Sequence, residues 1–175
     1  ITNALSRGMK MAVIDSRLSK TGEKADYWVP VIPGTDGALA LAIGRWIVEN
    51  KRYDTRYLRN PNKAAAEADG EPTWSDATHL VNLSDETRPK LRAADLGLGS
   101  SEQFVVMVNG RPVAADDAEE GDLEVDTVIN GIRVKSAFTL YKEEVMSKSM
   151  DEYAEITGVS KDLIIQLAKE FTSYG

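Results

Sequence analysis

The stretch that decides the fold runs from Met9 to Asn50, MKMAVIDSRLSKTGEKADYWVPVIPGTDGALALAIGRWIVEN. Met9 to Ile14 is an apolar run without a helical period, which suits a strand covered on both faces. Asp15-Ser16-Arg17 follows at its carboxyl edge, and a polar turn with a short helix leads to Ala25-Asp26. Tyr27-Trp28-Val29-Pro30-Val31-Ile32 reads as a second extended segment. Pro33 and Gly34 supply the fixed and the permissive φ of a turn, and Thr35 or Asp36 is expected to cap the next helix by accepting a backbone N–H. Leu39, Ala42, Ile43, Trp46 and Ile47 fall on one face of that helix, and Asn50 ends it. The order is strand, short helix, strand, turn, helix: the Rossmann-like opening of an α/β fold.

Working outward, two carboxylates stand where an open α/β sheet meets ligands, one at a strand end and one at a helix mouth. A carboxylate can accept two parallel hydrogen bonds from N1–H and the exocyclic amine of guanine, so Asp15 and Asp36 are candidate base or ribose acceptors. Arg17 can pair with phosphate or carboxylate. The same residues also serve as ordinary caps and strand ends, and their types alone leave both roles open.

Val13-Ile14-Asp15-Ser16-Arg17, then Thr21, Ala25-Asp26, Trp28-Val29-Pro30 and Pro33-Gly34-Thr35-Asp36-Gly37-Ala38-Leu39, resemble a signature of the molybdopterin oxidoreductases of the dimethyl-sulfoxide-reductase family. There the strand usually ends Asp-Pro-Arg, and Ser16 stands here in place of Pro; Gly22 stands where Ala is common. The resemblance implies a molybdenum bis(molybdopterin guanine dinucleotide) cofactor. By match of motif it places the guanosine end of one dinucleotide against Asp15, Ser16, Arg17, Leu18 and Ser19, and against Gly34, Thr35 and Asp36. Arg45 to Asn50, Arg52-Tyr53-Asp54, Gly70 to Trp74, Ala77 to Val81 and Glu152 to Ile156 are similar to tetrathionate reductase large subunits. Thiosulfate, polysulfide and arsenate reductases are near relatives of these. The resemblance further implies a sulfur oxyanion substrate, an iron–sulfur electron-transfer subunit, a membrane-anchor subunit and a place at the outer face of the membrane.

Beyond Asn50, Asp54 to Arg59 and Lys63 to Ala68 read as short helices, with Tyr53, Tyr57 and Leu58 inward. Trp74 is expected to be buried, and His79 to Leu83 has strand composition. His79, the only histidine, reads as a structural hydrogen-bonding residue rather than a ligand. Ser84 to Gln103 reads as loop with a helical turn. Asn109-Gly110 and Asn130-Gly131 each sit between strand-like runs and predict hairpins: Phe104 to Val108 with Arg111 to Ala114, and Leu123 to Ile129 with Ile132 to Val134. The acidic Asp116 to Asp122 lacks the ligand spacing of an EF-hand and reads as a solvated loop. Ala137 to Lys148 is helical, with Phe138, Tyr141, Val145 and Met146 on one side. Ser149 to Glu152 forms a capping box, Gly158 an αL cap, and Ser160 opens a last helix with a buried stripe of Leu163, Ile164, Leu167, Ala168 and Phe171.

These readings suggest a single domain over residues 1–175, with a dinucleotide-binding-type part (1–60), loops and β-hairpins (61–135) and a helical part (136–175). The net charge of −7 argues against a nucleic-acid surface. No run is apolar enough to cross a bilayer and none reads as a signal peptide. Without cysteine, the chain has no disulfide and no iron–sulfur ligation of its own. Ile1 is not an initiator methionine, and Gly175 directly follows a helical pattern as a cap. A fragment of a larger catalytic subunit is therefore expected, inactive by itself, with cluster-binding cysteines and the molybdenum ligand elsewhere. The competing reading is a stand-alone nucleotide-binding or structural module without redox activity.

Overall fold

The computed structural model describes residues 2–173; the expected cap at Gly175, like Ile1, lies outside them. It is an α/β fold whose contacts divide into two compact units, one of residues up to Tyr53 with those from Glu144 onward, the other Asp54–Glu143. The first unit contains α1 (Thr2–Leu5), β1 (Ala12–Ile14), β2 (Tyr27–Val29), α2 (Asp36–Glu49), α6 (Met150–Thr157) and α7 (Lys161–Phe171). In the second, α3 (Thr55–Leu58), α4 (Lys63–Asp69), β3 (Leu80–Asn82), β4 (Val105–Val108), β5 (Arg111–Ala114), β6 (Asp126–Ile129) and β7 (Ile132–Ser136) precede most of α5 (Ala137–Met146).

In the first unit β1 and β2 pair in parallel, with Ala12 opposite Tyr27, Val13 opposite Trp28 and Ile14 opposite Val29. The segment between them holds one 3-10 turn, Gly22–Lys24. Asp26 sets the register. Its carboxylate accepts from the Met11 N–H at 2.9 Å and from Lys10 Nζ at 3.2 Å. The Met11 carbonyl in turn accepts from the N–H groups of Asp26 and Tyr27. The Met11 N–H foremost, and then Lys10, hold the Asp26 carboxyl below its ordinary pKa.

α2 lays Leu39, Ala42, Gly44 and Val48 inward. It packs on α6 and α7 around a core with Val29, Val31, Tyr153, Ile164 and Leu167. The expected Ile43 and Trp46 are only partly buried against that core. The helix stops at Asn50, whose Nδ2 donates to the Trp46 carbonyl, and Lys51 takes φ +51°. Ser149 and Glu152 form the expected capping box, and Ser160 Oγ accepts from the Leu163 N–H. Arg45 donates to the carbonyls of Met146 and Lys148, and Arg52 to that of Thr172, so two arginines close helix C-termini.

Two expectations of burial fail in this unit. β1 is three residues long and is not covered on both faces; Ile14 is 47 % exposed. It is one edge of a two-stranded sheet, and the helices that seal Val29 leave an apolar hollow of about 430 Å³ beside it, lined in part by Met9, Ile14, Ile43 and Leu167. Phe171, at the rim of that hollow, is 78 % exposed and lies outside the α7 stripe, whose buried members are Ile164, Leu167 and Ala168.

In the second unit both Asn-Gly turns form. Asn109 and Gly110 take φ +51° and +77°, Asn130 and Gly131 +49° and +83°, the left-handed pair that a two-residue hairpin requires. β4 pairs with β5, and β3-β7-β6 form an antiparallel sheet. β6 starts at Asp126 rather than Leu123, because Val125 N–H turns to the side chains of Ser136 and Thr139. The 84–103 segment contains the 3-10 turn Ala93–Leu96. Tyr141 is exposed, and so is Trp74, which was expected to be buried. Trp74 lays its ring on His79 instead, with centroids 5.8 Å apart.

His79 is buried as a structural residue. Its Nε2 meets the Pro61 carbonyl at 2.9 Å, and Phe104 covers its other side. A carbonyl only accepts, so Nε2 carries the proton; Nδ1 is buried with no partner among the described residues. Burial pushes the imidazole pKa down and Lys90 adds to this, against the opposing Pro61 bond, Asp76 and Asp116. The unfolded chain therefore protonates His79 at a higher pH than the folded one. Stability of this unit should fall as pH drops from about 6.5, the ordinary histidine value, through the lower folded value. Urea midpoints at about pH 7.5 and pH 5 check this: the drop should be larger in wild type than in His79→Gln, and an equal drop in both would show that another group titrates.

Candidate functional site

The parallel pairing brings both signature loops to the carboxyl edge of one small sheet. β1 delivers Asp15 directly after Ile14, and β2 delivers Pro30 directly after Val29. The Asp15 N–H donates to the Val29 carbonyl at 3.2 Å, extending the ladder by one bond. Its carbonyl accepts from Trp28 Nε1 at 3.0 Å. One carboxylate oxygen, Oδ1, accepts from the Arg17 N–H at 3.0 Å, a local turn that Asp favours. Asp15 Oδ2 has no partner among the described residues. The residue is half-buried, while Ser16, Arg17 and Leu18 are exposed. Ser19 starts the following 3-10 turn: its Oγ accepts from Gly22 N–H and its carbonyl from Glu23 N–H. A Cβ on Gly22 would lie 3.1 Å from Leu18 Cδ1, so the glycine gives Leu18 its room.

The second loop is held from the other side. Val31 N–H turns back to the Val29 carbonyl, and Ile32 N–H donates to the Thr157 carbonyl at 2.9 Å. Gly34 takes φ +84°, which favours glycine, and open space surrounds the place of a Cβ there and on Gly37. Thr35 occupies the N-cap position of α2, but its hydroxyl donates to the Ile32 carbonyl at 2.7 Å and caps nothing. Asp36 is the first helical residue, exposed, and makes no hydrogen bond or ion pair among the described residues. The expected side-chain cap is thus absent. Its physical cause is that the Pro33-Gly34 turn offers Thr35 a nearer acceptor. The first amides of α2 keep no side-chain partner and carry the positive end of the helix dipole.

The two loops that leave the sheet at Asp15 and Pro30 therefore carry two carboxylates with free acceptor atoms, open helical amides and two glycines with empty space above them. Carboxylates suit the N–H donors of a purine or the hydroxyls of a ribose; the amides suit a phosphate oxygen. The chemistry of this donor set fits a guanine dinucleotide. Among the described residues no group of three or more His, Asp or Glu is placed to hold a metal, and no helix is long and apolar enough to cross a membrane. Sequence reasoning missed Trp28 and the Thr157–Gly158 support beneath Ile32. Strand alternation could have found the first, since the register puts Trp28 opposite Val13, two residues before Asp15. The second depends on tertiary packing alone.

No protein-family model matches the chain. It is 46 % identical over 183 aligned residues, covering 100 % of the chain, to a selenate reductase subunit of Mesobacillus selenatarsenatis. It is 38 % identical over 159 residues, 85 % of the chain, to a tetrathionate reductase subunit of Salmonella typhimurium, and 36 % identical over 82 % of the chain to that of Archaeoglobus fulgidus. The chain spans 18 %, 15 % and 13 % of the lengths of these relatives. Among solved structures, acetylene hydratase from Pelobacter acetylenicus shares the fold, with a TM-score of 0.50 at 22 % identity, over 98 % of this chain and 14 % of that one.

The site geometry makes Gly158 sensitive to substitution. It takes φ +70°, and an added Cβ would lie 3.0 Å from Ile32 Cγ1. Gly158→Ala should cost about 1–2 kcal/mol from the left-handed backbone alone, read as a lower urea midpoint. An unchanged midpoint would show that Ile32 and the turn after it yield freely.

Proposed function

Because the chain belongs to the dimethyl-sulfoxide-reductase family of molybdoenzymes, we propose that its sheet edge binds the guanosine end of a molybdopterin guanine dinucleotide in a catalytic subunit that reduces an oxyanion. The observations that support this are the parallel exit of the two signature loops at Asp15 and Pro30, the free Asp15 Oδ2 on the first, and the uncapped α2 amides beside Asp36 on the second. In this reading Asp15 and Asp36 accept from guanine or ribose, Arg17 offers positive charge toward phosphate, and Gly34, Thr35 and Ser16 to Ser19 shape the walls. The bound molybdenum cofactor, in its bis(guanine dinucleotide) form, supplies the redox chemistry; these residues bind and orient it. Selenate and tetrathionate reductases among the relatives support an oxyanion of sulfur or selenium as the substrate class, tetrathionate included. An iron–sulfur subunit, a membrane anchor and a place at the outer face of the cytoplasmic membrane complete the proposed parent complex.

Asp36→Asn in the full-length protein tests the site. Asp36 makes no capping bond, so the cofactor-free protein should lose only the attraction of its charge to the α2 dipole, about 0.3–1 kcal/mol. Asn replaces one acceptor with a donor, a mismatch of about 1–3 kcal/mol, or roughly a tenfold to hundredfold loss in cofactor affinity. Pterin content per protein should fall accordingly; normal loading would remove Asp36 from the site. The isolated chain should show no turnover of tetrathionate or selenate with a reduced dye donor, and activity there would overturn a purely binding role.

A further inference from the structure

We propose that Trp28 is a positioning residue for the guanosine end: its indole N–H sets the orientation of Asp15. The inference rests on the site reading above and goes beyond the signature loops themselves. Three contacts fix Asp15. Its N–H is tied to the Val29 carbonyl, its Oδ1 to the Arg17 N–H, and its carbonyl to Trp28 Nε1 at 3.0 Å. The first two come from strand pairing and from a turn within the loop. Only the third is a side-chain bond from outside the loop, and it acts on the peptide plane that leads into Ser16. The register places Trp28 opposite Val13. The indole therefore reaches forward along the strand direction to the residue two beyond its partner.

Without that bond the Asp15 carbonyl loses its only partner among the described residues, and the Asp15–Ser16 peptide can rotate. Rotation carries the Arg17 N–H away from Oδ1 and lets the carboxylate turn. Trp28 also borders the space left by Gly22: an added Cβ there would stand 3.7 Å from Trp28 Cδ1 and 3.1 Å from Leu18 Cδ1. The indole, Gly22 and Leu18 thus form the floor under the loop. Trp28 is 37 % exposed and absent from the buried core, so its polar contact rather than its burial distinguishes it.

The test uses the full-length protein free of cofactor, with guanosine diphosphate as the probe, and measures the dissociation constant and the melting temperature of each variant. Trp28→Phe keeps a ring and removes the donor. It should weaken guanosine diphosphate about fivefold, with the melting temperature lowered by no more than the loss of one neutral hydrogen bond. Asp15→Asn should weaken it at least about tenfold. In the Asp15→Asn background Trp28→Phe should add nothing, because its effect passes through the carboxylate. If wild type fails to bind the probe, or Asp15→Asn binds it normally, the guanosine-site reading is overturned. If Asp15→Asn weakens binding and Trp28→Phe does not, the Trp28 proposal alone fails. A Trp28→Phe loss that is the same in both backgrounds, or that comes with a fall in melting temperature larger than one hydrogen bond accounts for, likewise overturns it in favour of a general packing role.

Discussion

The pairing of β1 with β2 depends on the Asp26 carboxylate. A parallel ladder of three residues per strand has few backbone bonds, and parallel strands pair less stably than antiparallel ones. Asp26 adds a charged acceptor at the entrance of the pair, on the Met11 N–H and Lys10, while the Met11 carbonyl takes the N–H groups of Asp26 and Tyr27. Once that register holds, Asp15 and Pro30 leave the sheet side by side, and everything proposed for the site follows from their adjacency. A one-residue slip would turn Trp28 to the opposite face and break its bond to Asp15.

The two loops at this edge are supported by different means. The Asp15 loop is fixed by polar contacts on an exposed surface. The Pro33–Asp36 turn rests on the core: Ile32 is tied to the Thr157 carbonyl and sits against Gly158, where α6 ends. α6 and α7 come from the far end of the sequence and pack on α2. The C-terminal segment therefore serves the N-terminal loops as their base, which gives the capping box at Ser149 and the αL turn at Gly158 a bearing on ligand geometry as well as on helix stability.

Much of this was legible in the sequence where the signal is local. The Asn-Gly turns, the Ser149–Glu152 box, the Ser160 cap and the order of elements around Asp15 and Asp36 all follow from short-range stereochemistry. Features that depend on neighbours distant in sequence were misread. Met9 to Ile14 carries the composition of a buried strand, yet only Ala12–Ile14 pairs and its flank is open. Phe171 has an apolar body but faces outward, since a periodic pattern does not reveal which face has a partner, and Trp74, expected to be buried from its loop, is exposed. Either Thr35 or Asp36 was expected to accept at the mouth of α2; Thr35 instead donates, since a hydroxyl does either and the nearest carbonyl decided. His79 fits its structural reading, but the aromatic sandwich around it could not be read from its flanking residues.

The two Asn-Gly hairpins are alike in backbone but not in chemical lifetime. Asparagine followed by glycine ages when the glycine amide nitrogen attacks the side-chain carbonyl, expels ammonia and closes a succinimide ring. In the β4–β5 turn the Gly110 N–H is held by Asp122 Oδ2 at 3.0 Å, which keeps that nitrogen occupied. The Gly131 N–H has no such partner among the described residues, and both Asn130 and Gly131 are exposed. Spontaneous deamidation would therefore begin at Asn130. It would add a negative charge to the β6–β7 turn of an already acidic chain, while the turn at Asn109 stays intact.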